Sequence, residues 1–134
     1  MNGVAAIRVG LVADAALIAI VPADRIAAGV LPTGTALPAL SIMQVSSTDL
    51  NIPAPGAKRH VVDRVQVTAL ATTYVELRAT LAAAKAACAD SFPTVAGISE
   101  VSILTDGAGP DFMDDEAKFY LGSQDFVVAY NQNT

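Results

Sequence analysis

The chain carries one histidine, His60, set beside Arg59 and followed by Asp63 and Arg64. A histidine acting as general base needs an orienting partner and a nucleophile within hydrogen-bond reach, and the sequence nominates neither. His60 and Asp63 stand three apart on an expected strand, which sends them to opposite faces. A surface histidine at a strand start is therefore expected. The acids Asp106, Asp111, Asp114, Asp115 and Glu116 could offer carboxylates to calcium. Their spacing lacks the alternating ligands, central glycine and closing glutamate of a helix-flanked calcium loop, so a solvated acidic loop without metal is expected. Gly107, Gly109 and Gly122 form no phosphate cradle, because no Lys with a following Ser or Thr accompanies them and no helix opens behind them. Ser46, Ser47 and Ser91 lack the strand-to-helix elbow that exposes a nucleophile. No catalytic residue, cofactor or metal is predicted, and the chain is read as not an enzyme.

The segment Arg59 to Cys88 fixes the architecture. Val61, Val65, Val67, Ala69 and Ala71 alternate with His60, Arg64, Gln66 and Thr68, the period-two pattern of a half-buried strand, interrupted at Asp63. Thr73 and Glu76 have the spacing of a reciprocal capping box. Behind them Tyr74, Leu77, Leu81, Ala84 and Cys88 recur at steps of three and four on one apolar stripe. That stripe makes Cys88 a buried structural thiol rather than a nucleophile or ligand.

Around this unit the other elements fall into order. Val4, Ile7, Leu11, Ala15 and Ile18 line one face of an N-terminal helix that stops before Pro22. A short strand fits Arg25 to Ala28. Ala39 to Ser46 is apolar on both sides and suits a doubly covered strand. Ser47 to Lys58 holds two prolines and a glycine and is expected to be a long loop, in which Leu50 and Ile52 are apolar among polar neighbours. A strand follows at Ile98 to Thr105 with Val101 and Ile103 inward, then the acidic loop Asp106 to Glu116. In the last strand Phe119 and Leu121 differ in parity from Phe126, Val128 and Tyr130, which predicts a bulge near Gly122 and Ser123. The sum is an α+β sandwich: a mainly antiparallel sheet of four or five strands with two helices on one face. Ile42, Met43, Val62 and Leu70 suggest that the other face is partly apolar and covered by another subunit.

Composition bounds the function. The 134 residues match one domain, residues 1–134, too short for two comfortable ones. Thirteen acids against eight bases give a net charge of −5, which disfavours binding nucleic acid by attraction to phosphates. Arg8 and Asp14 interrupt the apolar amino-terminal stretch, which has no basic cluster before it and is too short to span a bilayer. With 53% apolar residues and no disulfide framework, a large subunit interface is the remaining outlet for the apolar excess.

Taken in order, the chain resembles the tail-completion family of long-tailed bacteriophages, also called tail terminators or tail-to-head joining proteins. The likeness rests on Asp14-Ala15-Ala16-Leu17 in the first helix, Asp24-Arg25-Ile26, Leu37-Pro38-Ala39-Leu40-Ser41-Ile42, Arg64-Val65-Gln66-Val67 leading to the Tyr74 helix, and the closing Ser123-Gln124-Asp125-Phe126-Val127-Val128-Ala129-Tyr130. The second strand lacks the aromatic residues that many relatives carry. The resemblance implies a virion structural protein at the tail–neck junction, assembled in the host cytoplasm. It would form a homo-oligomeric, typically hexameric ring that caps the tail tube, docks on a neck or stopper protein, and lets DNA pass without specific binding. On that basis Thr48, Asp49, Leu50, Asn51, Ile52, Pro53 and Lys58 are expected to meet a neighbouring subunit or the tube protein. Asp111, Asp114, Asp115 and Glu116 are expected at a ring surface. A different neck or head-completion subunit, or a small binding module or accessory enzyme, remains the alternative.

Overall fold

A computed structural model of the chain describes residues 2–29, 31–32, 34–50, 58–115 and 118–133. In chain order the elements are α1 (Asn2–Ala13), α2 (Ala15–Ile20), a single 3-10 turn (Ala23–Arg25), β1 (Ile26–Ala28), β2 (Ala39–Leu50), β3 (Lys58–Ala71), α3 (Tyr74–Cys88), β4 (Ile98–Ala108), β5 (Phe112–Asp114) and β6 (Phe119–Asn133). The strands make one six-stranded sheet in the order β1-β2-β3-β6-β4, with β5 beside β6. Only the β1–β2 pair is parallel. The expected α+β class is what the chain adopts, with the main helices α1 and α3 packed against one face. The expected short strand is β1, and the strand count rises to six because β5, of three residues, joins the sheet as well.

The core lies between that face and the helices. Val61, Val65, Val67, Ala69 and Ala71 of β3 and Phe126, Val128 and Tyr130 of β6 meet Ile7 and Leu11 of α1 and Leu77, Leu81, Ala84 and Cys88 of α3, all buried. Among the described residues no helix is long and apolar enough to cross a membrane.

Several local expectations are corrected. The N-terminal helix is not continuous to Pro22: the carboxylate of Asp14, in extended backbone, accepts the N–H groups of Ala16 at 2.9 Å and Leu17 at 3.3 Å and starts a second helix. Leu17 thereby reaches the core while Ala15 stays exposed. At α3 the Thr73 hydroxyl does accept the Glu76 N–H at 3.1 Å, but the Glu76 carboxylate bonds the Thr72 N–H at 3.3 Å rather than that of Thr73. Tyr74 leaves the buried stripe and packs edge-on against Tyr120, ring centroids 5.8 Å apart.

The expected long loop from Ser47 is shorter, since Ser47 to Leu50 pair with Asp63 to His60 as the outer part of a β2–β3 hairpin. Polar residues there hid the strand, and a register shift between Gln44 and Ser46 broke its alternation. Asp106 to Ala108 likewise belong to β4, and Phe112 to Asp114 pair with β6 instead of lying in a solvated loop. The expected bulge at Gly122 and Ser123 is absent, because β6 pairs with β3 without interruption from Tyr120 to Asn133. Gly122 and Gln124 simply take inward positions. Glycine is required at the first, where an added Cβ would stand 2.7 Å from Cδ1 of Leu81.

Candidate functional site

Asp63, which interrupts the apolar pattern of β3, keeps its inward phase and is fully buried. Its Oδ2 accepts the Gly3 N–H at 3.0 Å and the Tyr130 hydroxyl at 2.9 Å, so a strand carboxylate caps the amino end of α1 from across the core. Burial first, and the Asp63 hydrogen bond second, push the phenol pKa of Tyr130 up. No composition or spacing signal announced this pairing, which depends on residues 67 apart. Burial also pushes the Cys88 thiol up to about 12, and its Sγ lies 3.6 Å from the Ile7 carbonyl. The thiol is a core group, as its stripe position predicted.

His60 is at the exposed end of the sheet, and the structure supplies the orienting partner that the sequence did not. Its Nδ1 is 2.8 Å from Oδ1 of Asn131, whose amide donates to Glu100 at 2.6 Å. Ser99, which pairs with Asn131 on the far side, is two strands from His60, about 10 Å at ordinary strand spacing. Among the described residues no hydroxyl or thiol hydrogen-bonds the ring. The arrangement holds the ends of β3, β4 and β6 together rather than preparing a base.

Among the described residues no group of three or more His, Cys, Asp or Glu side chains is placed to hold a metal. Asp111 accepts from the Tyr74 hydroxyl at 2.9 Å and lies 3.5 Å from Arg78, tying the approach to β5 onto α3. That bond raises the Tyr74 pKa. Asp114 closes β5 and Asp115 is exposed in the turn after it; Glu116 lies outside the described residues.

The larger surfaces are different in kind. In the outer half of the β2–β3 hairpin, every β2 residue from Met43 to Leu50 is exposed. Thr48 pairs with Val62, Asp49 with Val61, and Leu50 with His60, while Asp49 forms an ion pair with Arg59 at 3.2 Å. Lys58 opens β3 opposite Asn133. Its side chain, and Asn51, Ile52 and Pro53, lie outside the described residues. Leu50 is 45% exposed and projects with Thr48 from the face opposite the helices.

That opposite face spans the whole sheet. Met43, Leu104 and Phe112 on it are 52%, 54% and 60% exposed, with Val62, Leu70, Leu121 and Val127 half-buried between them. Ile42, expected there, is instead a core residue pairing with Val67. At the centre Arg64 bridges Asp106 at 3.0 Å and Asp125 at 2.9 Å. One cation faces two carboxylates, and Oδ1 of Asp125 is buried without a donor among the described residues. The outer sheet face is therefore a broad, exposed surface of mixed apolar and acidic character.

Comparison with known proteins gives the family. The family described as "Tail completion protein gp17" matches residues 5–131. The chain belongs to that tail completion protein family. The family is a structural one, of phage-like virions, and its match takes in the sheet, both main helices and the hairpin. The tail completion protein also resembles in fold a solved chain from a "Virion of native gene transfer agent (GTA) particle", with a TM-score of 0.67 at 15% identity, covering 95% of this chain and 92% of that one. No curated protein matches this tail completion protein.

Proposed function

We propose that this tail completion protein is the ring-forming subunit that caps the head-proximal end of a tail tube, stops its polymerisation and joins it to the neck, with DNA passing through the lumen. The bare outer sheet face carries the proposal. Exposed Met43, Leu104 and Phe112 gain from burial only if another chain covers them, at about 25 cal/mol per Å² of apolar surface removed from water. The exposed β2–β3 hairpin gives such a subunit an arm for its neighbour or the tube protein, through Thr48, Asp49 and Leu50. A charge of −5 per copy suits a channel that DNA must cross without adhering. The expected homohexamer is a virion component.

The test has two parts. Native mass measurement of the purified protein should show a closed oligomer, and adding it to polymerising tube protein should shorten the tubes and place density at one end in micrographs. A monomer at high concentration, or tubes of unchanged length with bare ends, would overturn the assignment.

A further inference from the structure

The outward side of α3 is apolar as well as its core side. Val75, Ala79, Ala82 and Ala86 are all exposed, Val75 at 80%, and lie directly opposite buried Leu77, Ala84 and Cys88. An exposed apolar stripe opposite a helix's core side gains from being covered by another surface. The molecule therefore bears two uncovered apolar surfaces, the α3 stripe and the outer sheet face, on opposite sides of its sandwich. A two-fold contact would match each surface to itself. A head-to-tail contact covers both with one repeated interface, and such a contact closes into a ring when its rotation allows.

The two surfaces also match in size and charge. The fifteen-residue α3 is about 22 Å long at 1.5 Å per residue, and five strands side by side span roughly 19 Å at 4.8 Å spacing. Small side chains let the helix approach a sheet closely. Lys85 flanks the stripe, exposed and without a partner among the described residues, whereas the sheet face sets two carboxylates, Asp106 and Asp125, against one Arg64. A cation arriving there balances the excess charge in a partly dehydrated setting, where it counts most.

We infer that α3 of one copy packs on the outer sheet face of the next, with Lys85 set beside Asp106 and Asp125. The sheet thus becomes the middle layer of three, helices on both sides, the second layer lent by the neighbouring copy. This deepens the ring assignment and rests on it.

Cysteine pairing tests the contact. Ala82→Cys and Gln66→Cys place thiols at the middle of the stripe and of the sheet face, and buried Cys88 can stay. Under mild oxidation the double variant should give a ladder of covalently linked oligomers, and neither single variant should give a linked dimer. Lys85→Glu should weaken assembly tenfold or more, while Lys85→Arg should preserve it, with circular dichroism of both variants unchanged. An oligomer whose double variant forms no ladder overturns this contact and leaves the ring standing. Dimers from a single variant also overturn it, since the contact would then be two-fold. A protein that stays monomeric throughout overturns the ring and the contact together.

Discussion

Gly122 lies directly beneath Leu81: a Cβ built on the glycine would stand 2.7 Å from Cδ1 of that leucine and 2.6 Å from Oδ1 of Asp111. The Asp111 carboxylate can swing away, but Leu81 is locked in the core between α3 and the sheet. Gly122→Ala should therefore destabilise the fold by about 1–3 kcal/mol through overpacking. Urea unfolding checks it, and a midpoint equal to that of the parent protein would mean that α3 has room to lift.

Tyr130→Phe removes one of the two donors to the buried Asp63 carboxylate. A loss of about 1.5–3 kcal/mol is expected for a hydrogen bond to a charged group. The pH dependence follows from the raised phenol pKa of Tyr130. The folded state keeps this proton longer than the unfolded chain, so its stabilisation is complete below about pH 10, the unperturbed tyrosine value, and is lost as pH climbs beyond it. The stability gap between parent and variant should hold steady to about pH 10 and narrow progressively above it. A gap that stays constant would show that Tyr130 does not hold the proton in the way the geometry requires.

The central β3–α3 unit was legible in the sequence because its signals are local: alternation from Val61 to Ala71, the Thr73 cap, and the stripe ending at Cys88. Elements set by distant partners were not. The helix break at Asp14 looked like continuous helix because apolar periodicity runs through it, and only the capping geometry of Asp14 separates the two pieces. The outer hairpin was hidden because exposed strand residues such as Ser47 and Thr48 need no apolar alternation. Of the expected assembly residues, Thr48, Asp49 and Leu50 fall on that exposed arm. The Arg64, Asp106 and Asp125 cluster could not be seen beforehand, since it joins three strands and depends on their register.

Leu50→Asp should fold like the parent protein, because the side chain already faces solvent and pairs only by backbone with His60. Thermal unfolding should shift by no more than about 0.5 kcal/mol equivalent. Assembly should fall sharply, as a carboxylate would be buried in the contact without a partner. Sedimentation velocity of the variant, alone and with tube protein, decides it; full assembly would remove Leu50 from the interface.

The acidic residues divide by what they touch. Asp115→Asn, in the exposed turn, should leave stability unchanged, whereas Asp111→Asn should lower the melting temperature measurably by weakening the Tyr74 and Arg78 contacts. Calcium should raise the melting temperature of neither. In an assembled ring the lumen should carry net negative potential, and a lumen lined mainly by Arg8, Arg25, Arg59 and Arg64 would contradict that expectation. A clear calcium-dependent stabilisation would show that the carboxylates gather into a site after all.

Asp63 receives its two donors from residue 3 and residue 130, and β6 lies between β3 and β4 in the sheet. During synthesis, α1 leaves the ribosome long before the strand that completes its anchorage. Until β6 has emerged, β4 lacks the partner that ties it into the sheet, and the long-range pairing that defines the fold cannot form. A nascent or truncated chain accordingly lacks the centre of the outer face, because Asp125 and Val127 are still missing from it. Unfinished copies should therefore be protease-sensitive and should not compete with complete copies in assembly.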